Sequence, residues 1–378
     1  MTIHSKKLHA ALLCLAAVYT CGALAGAGGL DPAGEAAGGR ALYQLACATC
    51  HGADGKGAPP HQVAFDQPLP DFTDCSFATR EPDADWLAVS HAGGPARAFV
   101  PLMPSFGEAL TEEQLLAILG HVRTFCRSDA WPRGELNFPR ALVTEKAFPE
   151  DEALWITSVA TEGRGAVSNR FIYEQRFGAR HQFEVIVPTA WEERALASGA
   201  DDWTGGLGDV AVGTKHVLFH SLERGSIVSI AGEAILPTGD EDDGFGKGAT
   251  ILEPFVAYGQ ALPADSFFQF QGGVELPLDG GLSDEAFARF VLGRTWTRGP
   301  FGRAFSPMVE LVGARELTSG ADAHWDAVPQ VQITLSTRQH VMANVGLRVP
   351  LNDTRGRDTQ LMFYLLWDWF DGGIHEGW

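Results

Sequence analysis

The chain has 378 residues, 47 of them acidic and 28 basic, for a formal net charge of −19. Such an acidic excess excludes a nucleic-acid binder, whose affinity rests on clustered Lys and Arg, and favours basic partners or divalent cations. The chain is also longer than one small domain needs, and helical and strand periodicities fall in separate parts of it.

Residues 1–25 read as a signal peptide. Lys6 and Lys7 precede an apolar run over 8–18, and Ala23-Leu24-Ala25 forms a cleavage signal. The run is too short for a membrane-spanning helix. Tyr19 and Thr20 stand where lipoprotein processing at Cys21 would want small residues. The mature chain is therefore expected to be exported.

A helix is expected over 35–48, with Leu42, Leu45 and Ala46 on one face. It runs into Cys47-Ala48-Thr49-Cys50-His51, the Cys-x-x-Cys-His signature of covalent c-type haem attachment. Each thiol can add to one haem vinyl group, and the adjacent His is placed to ligate the iron. A redox Cys-x-x-Cys or half of a zinc site is the plainer alternative, but the chain has no second Cys-x-x-Cys and no βαβ setting around this one. Residues 52–60 form a Gly- and Pro-rich loop without Walker spacing, able to fold over a flat cofactor. A proline carbonyl there is expected to hold the imidazole N–H.

Met103 lies in Val100-Pro101-Leu102-Met103-Pro104, where the prolines stiffen an extended segment. It is the expected distal ligand, since His/Met ligation suits a high-potential electron carrier. A buried core Met is the ordinary fate of a lone methionine. His61, His91 and His121 are rival ligands, and bis-His ligation would lower the potential. A closing helix starts at Thr111, with Gln114 completing a capping box. Leu115, Ile118, Leu119, Val122 and Phe125 follow at helical spacing as a core stripe.

On these residues, 36–127 resembles a class I mono-haem cytochrome c: a Leu42-Tyr43 helix, Cys-Ala-Thr-Cys-His-Gly, a Met-Pro-x-Phe loop and a final amphipathic helix. The resemblance covers about a quarter of the chain. It implies one covalent haem c with its iron, Cys47 and Cys50 as attachment points, His51 as proximal ligand and Met103 as distal ligand. Cys75 is extra to that pattern. Cys14 and Cys21 would leave with the signal, so Cys75 and Cys126 remain. In an oxidising compartment a disulfide between them is the natural expectation. Two free thiols are the alternative, because sequence sets no distance between the sulfurs.

Residues 128–150 read as a linker, and 151–378 as a different kind of protein. Pro329, Val331, Ile333 and Leu335 alternate with Gln330, Gln332, Thr334 and Ser336; Phe268, Phe270, Gly272 and Val274 alternate with Gln269, Gln271, Gly273 and Glu275. About twelve such segments are expected: 153–161, 166–177, 180–188, 207–220, 225–236, 249–261, 265–277, 285–297, 303–316, 326–336, 339–350 and 358–371. Most reach the ~9–11 residues a tilted strand needs to cross a bilayer. Tight connections (178–179, 222–225, 262–264, 298–302, 337–338) alternate with longer ones, and aromatics such as Trp155, Phe177, Tyr258, Phe305, Trp367, Trp369 and Phe370 sit near strand ends. Both are habits of outer-membrane barrels. A soluble β-sandwich shows the same alternation, but not these strand lengths or this loop asymmetry.

The fold class expected is thus two-domain, an all-α cytochrome c domain followed by an antiparallel outer-membrane β-barrel. Gly205-Gly206-Leu207-Gly208-Asp209-Val210, continuing to Lys215, and Leu236-Pro237-Thr238-Gly239-Asp240 resemble motifs of a transporter-like barrel family associated with phenol meta-cleavage pathways. That resemblance implies a barrel and passage of a small hydrophobic solute, and it transfers no substrate residue. The polar parity of the strands carries Glu184, Glu233, Glu253, Glu275 and Glu310 with Arg176, Arg289 and Arg348; a paired, hydrated interior is the expectation ahead of a charged path. The acidic run 240–243 lacks calcium-loop spacing and reads as a solvated loop.

The function expected is one-electron exchange with periplasmic redox proteins by a haem domain anchored in outer-membrane lipid, an electron carrier and not an enzyme. A transporter whose haem domain senses or couples redox state, and a haem enzyme with an open sixth site, are the alternatives.

Overall fold

The computed structural model describes residues 32–195, 201–279, 281–352 and 357–369. The expected signal peptide with Cys14 and Cys21, Phe370 and Trp378 lie outside the described residues.

The first domain is built from helices α1 (Pro32–Ala46), α2 (Ala48–His51), α3 (Cys75–Ala78), α4 (Asp83–Ala92) and α5 (Glu112–Arg123). The expected stripe on α5 is its buried face: Leu115, Ile118, Leu119 and Val122 are all buried. Its capping box is present, with the Thr111 N–H donating to Gln114 Oε1 at 2.9 Å and the Gln114 N–H to Thr111 Oγ1 at 3.3 Å. On α1 the expectation needs correction. Leu45 is 82% exposed, whereas Tyr43 is fully buried. The reason is Gly39, one turn earlier, where a Cβ would stand 2.0 Å from the Ala117 carbonyl oxygen. The two helices cross closely at that glycine, which turns the Gly39–Tyr43 side of α1 inward. Cys75 and Cys126 form a disulfide between α3 and the residues after α5.

The second domain has strands β1 (Glu152–Ala160), β2 (Ala166–Phe177), β3 (His181–Ala195), β4 (Asp201–Leu207), β5 (Ala211–Ser221), β6 (Ser226–Ile235), β7 (Ile251–Leu262), β8 (Ser266–Pro277), β9 (Glu285–Arg294), β10 (Trp296–Thr297), β11 (Ala304–Glu316), β12 (His324–Thr334), β13 (Val341–Pro350) and β14 (Gln360–Asp368). All pairings are antiparallel. β9 pairs with β11 and β14 returns to β1, which closes a twelve-strand barrel. β4 was not expected. Segment 188–206 reads as one of the longer connections, yet β3 runs on to Ala195 and β4 folds back along it, with Trp191 opposite Gly205.

The burial pattern is inverted relative to a soluble sandwich. Trp155 is 52% and Leu365 50% exposed, as are many large apolar side chains of their parity, whereas Glu174, Glu184 and Glu310 are buried. A lipid-facing apolar belt around a polar interior accounts for this. The two resembling sequence motifs meet at the barrel end with the long loops. Asp209 accepts the Gly239 N–H at 3.0 Å and the Lys247 N–H at 2.7 Å, and Thr238 Oγ1 accepts the Val210 N–H at 2.9 Å. The acidic run 240–243 lies exposed beside them, with Asp243 3.3 Å from Arg194.

Segment 128–150 is not a free linker. From Gly134 onward it enters the barrel and fills its interior. Leu136, Phe138, Ala147 and Phe148 share a core with Val217, Ile227, Phe255, Phe267 and Phe287 from the wall. The backbone N–H groups of Val143 and Thr144 donate to Glu310, that of Leu142 to Gln330, that of Glu145 to Gln271 and that of Glu150 to Gln182. Arg140 lies 2.9 Å from Glu152 and 2.8 Å from Glu174. The wall's buried acids and amides thus satisfy the backbone of an inserted segment, as buried polar groups require. Sequence reading missed it because 128–150 has neither helical nor strand period.

The helical domain docks on the barrel end that carries the short turns. Arg80 pairs with Asp151 at 2.9 Å, the Arg97 guanidinium donates to the Phe301 carbonyl at 2.8 Å, and His340 sits 3.2 Å from Glu81. Phe301 lies in the turn before β11 and His340 in the turn between β12 and β13.

Candidate functional site

Between the helices and the barrel turns is a cavity of about 530 Å³ lined by Cys47, Cys50, His51 and Met103, with Phe72, Phe77, Trp86, Leu102, Ile118 and Leu119 among the apolar walls. The Cys-x-x-Cys-His stretch is one tight turn at the end of α1. The Cys47 N–H donates to Tyr43 O at 2.8 Å, and the His51 N–H to Cys47 O at 2.9 Å. The following loop folds back on it: Gly57 N–H reaches His51 O at 2.9 Å and Ala58 N–H reaches Cys50 O at 2.7 Å. From below, the buried Tyr43 hydroxyl donates to Gly52 O at 2.7 Å.

Phe72 stacks on the His51 ring, with centroids 5.0 Å apart. Burial holds the His51 imidazole below its usual range, so it is neutral and able to donate a lone pair. Its Nδ1 is buried without a hydrogen-bond partner, so the expected proline carbonyl does not hold it, although Pro68 and Pro70 line the same cavity. Burial, with Cys50 adding to it, pushes the Cys47 thiol up to about 11. Cys47 and Cys50 are both free rather than bonded to each other.

Met103 also lines this cavity. Its carbonyl accepts the Gly94 N–H at 3.1 Å, and Gly93 has φ 84° with no room for a Cβ beyond 3.0 Å from that oxygen. A glycine there lets the methionine loop close on α4. The three rival histidines lie elsewhere. His121 packs on Tyr43 and Phe125, His91 on Phe301 of the barrel, and neither they nor His61 lines the cavity. Sequence reading missed Glu81, Asp85 and Arg97 from the helical domain and Arg338 and His340 from the barrel, which also line it. No local motif marks them; only the docking of two domains brings them together.

These residues fit a haem. Two free thiols, a buried neutral imidazole with an orphaned Nδ1 and a thioether converge on one mostly apolar cavity. Residues 36–125 match the family model for cytochrome c. This part of the chain is a cytochrome c domain, and that family carries covalently bound haem c with its iron.

The chain therefore joins a cytochrome c domain to a closed barrel of the outer-membrane type. Among solved structures it is similar to the KdgM porin, at 8% identity and TM-score 0.37, covering 58% of this chain and 99% of that one. It is also similar to the COG4313 outer membrane channel from Pseudomonas putida F1, at 12% identity and TM-score 0.44, covering 61% and 100%. The NanC porin is a third, at 9% identity and TM-score 0.37, covering 58% and 98%. These are likenesses of barrel fold alone. No curated protein matches the chain.

The disulfide closes a separation of 51 residues that spans Met103. Replacing both cysteines, Cys75→Ser with Cys126→Ser, is expected to cost the domain about 4 kcal/mol through the freed loop. Denaturant titration followed at the haem absorption should show an earlier midpoint. An unchanged midpoint would mean that the barrel contacts, and not the disulfide, hold the methionine loop.

Proposed function

We propose that this protein is a mono-haem electron carrier anchored in the outer membrane, with its cytochrome domain in the periplasm and its exchange partners there. The observation that carries the reading is the convergence of Cys47, Cys50, His51 and Met103 on one cavity at the short-turn end of the barrel. Cys47 and Cys50 would hold the haem covalently, and His51 and Met103 would face its iron. When bound, the iron supplies a reversible one-electron change. Around it the chain excludes water with Phe72, Phe77 and Trp86, keeps the imidazole neutral and fixes the methionine loop on Gly93 and Gly94. Short turns are the periplasmic side of such barrels, which supports the periplasmic placement.

The inserted segment supports an anchor rather than a wire or an open pore. The hydrocarbon layer is about 30 Å thick, and the chain has one haem motif. The test has two arms. Membrane fractionation with haem staining should place the covalent haem in the outer membrane. A membrane-impermeant mediator added to intact cells lacking other outer-membrane cytochromes should leave the haem's redox state unchanged. Rapid exchange would overturn the anchor reading in favour of a conduit.

A second reading, a solute channel coupled to redox state, is favoured by one observation: the cytochrome domain runs directly into the luminal segment. Arg180 of the turn before β3 donates to the Ala130 carbonyl at 3.0 Å, just ahead of it. Channel recordings on the oxidised and reduced protein decide it, because a coupled channel must change conductance with haem state.

A further inference from the structure

We propose that the barrel interior binds a divalent cation, calcium by its chemistry, between Glu145 of the inserted segment and Glu174 and Glu184 of the wall. These residues lie apart from the haem cavity, so the site is independent of the haem.

The cross-strand register sets a row of wall acids at one level. Glu152 of β1 stands opposite Glu174 of β2, and Glu174 opposite Glu184 of β3. Gly213 of β5 follows, and then Glu233 of β6, opposite Glu253 of β7. All of these acids are buried. Like charges directly opposite one another destabilise a sheet, and a buried carboxylate needs a counter-charge. At one end of the row the inserted segment supplies it. Arg140 bridges Glu152 and Glu174, and Lys146 pairs with Glu150 and Glu152. Beside Glu184 and Glu233 the same segment brings another acid, Glu145, which is a charged neighbour of both. Lys215 of β5 also lies there, its Nζ 4.0 Å from Glu145. Lys215 can balance one of these three carboxylates, Glu145, Glu184 and Glu233. Two negative charges remain, which is the charge of one divalent cation.

Glu184 shows that the gathering is more than a solvated acidic cluster. It is 2% exposed, its Oε2 has no hydrogen-bond partner, and among the described residues it forms no ion pair. Glu145 Oε2 and Glu174 Oε2 are likewise buried without a hydrogen bond. Carboxylate oxygens of Glu145, Glu174 and Glu184 all lie within 4.8 Å of one another. Such a span fits across an ion with bonds of about 2.4 Å, in the calcium range, whereas magnesium at about 2.1 Å wants a tighter set. Ligands that are all oxygen favour a hard cation over zinc or copper. Gly213 keeps the space open, because a Cβ there would stand 2.6 Å from Glu184 Oε1 and 2.9 Å from Glu233 Cγ. A cation held there ties the inserted segment to β2 and β3, on the side where the segment offers no cation of its own.

The test uses calcium alone, on the full-length protein purified in detergent. Protein stripped with a chelator and dialysed into metal-free buffer is titrated with calcium at neutral pH by calorimetry. Elemental analysis after gel filtration counts the ion retained. Wild type should take up a single calcium ion per chain, and should keep its folded gel mobility to a higher temperature with calcium than with chelator. Glu184→Gln, similar in shape but neutral, should lose both the ion and the calcium dependence of unfolding. Asp242→Asn combined with Asp243→Asn, in the exposed acidic run, should behave as wild type and so separates the luminal site from surface acids.

No calcium uptake by wild type would mean that protons neutralise the acids, and the proposal fails. Equal uptake by wild type and Glu184→Gln, or uptake lost in the surface double variant, puts the ion elsewhere and overturns it as well. Should Glu184→Gln not fold, wild-type crystals grown with terbium in place of calcium decide. An anomalous peak among Glu145, Glu174 and Glu184 sustains the site; a peak elsewhere, or none, ends it.

Discussion

Met103→Ala is expected to leave the haem attached, lower the reduction potential and let the reduced protein bind carbon monoxide. Attachment depends on Cys47 and Cys50, which the substitution does not touch. The thioether is the group that would raise the potential and occupy the distal position. It is also the side chain that reaches the cavity, whereas His61, His91 and His121 do not line it. Optical redox titration and the spectrum under carbon monoxide read both effects. A mutant with an unchanged potential that still refuses carbon monoxide would show that another residue fills the distal side. Wild-type protein that binds carbon monoxide readily would point instead to a haem enzyme with an open sixth position.

Arg140→Ala is expected to loosen the luminal segment and destabilise the barrel by about 3–5 kcal/mol, the usual cost of leaving buried charges without their partner. Arg140 lies between Glu152 and Glu174, whose side chains are 1% and 0% exposed. Lys146, which pairs with Glu150 and stands 3.3 Å from Glu152, cannot serve both sides. The Arg140 carbonyl also accepts the Tyr364 hydroxyl at 2.7 Å, so the segment is tied to β14 at the same residue. The variant should lose its folded gel mobility at a lower temperature than wild type. Its conductance in planar bilayers should be higher and noisier. Arg140→Lys should recover part of both. If conductance and unfolding temperature match wild type, the inserted segment does not close the lumen.

Short-range chemistry made much of this protein legible. Cys-x-x-Cys-His binds its meaning to five adjacent residues, and the α5 stripe and capping box are set by helical period and local hydrogen bonds. The strands were legible for a related reason. Lipid on one side and a polar interior on the other force strict alternation, so β2 spans Ala166–Phe177, the segment expected from period two alone. Where no period exists, the sequence was silent. Segment 128–150 looked like a linker because its pattern answers to many wall residues far away in the chain, such as Glu310, Gln330 and Gln271. Leu45, expected on the inner face, points outward while Tyr43 is buried, because a close crossing at Gly39, and not apolarity, turns α1.

The sequence by itself determined two domains, the haem motif, the methionine loop and the barrel, because each is written in residues near one another or in a repeating period. Only the tertiary structure decided that the barrel's interior holds the chain's own segment and that its turns bring Arg338 and His340 to the cavity. Those contacts join residues more than two hundred positions apart, such as Arg97 with Phe301 and with Arg338. Such pairings depend on how two finished surfaces fit, which no local pattern encodes.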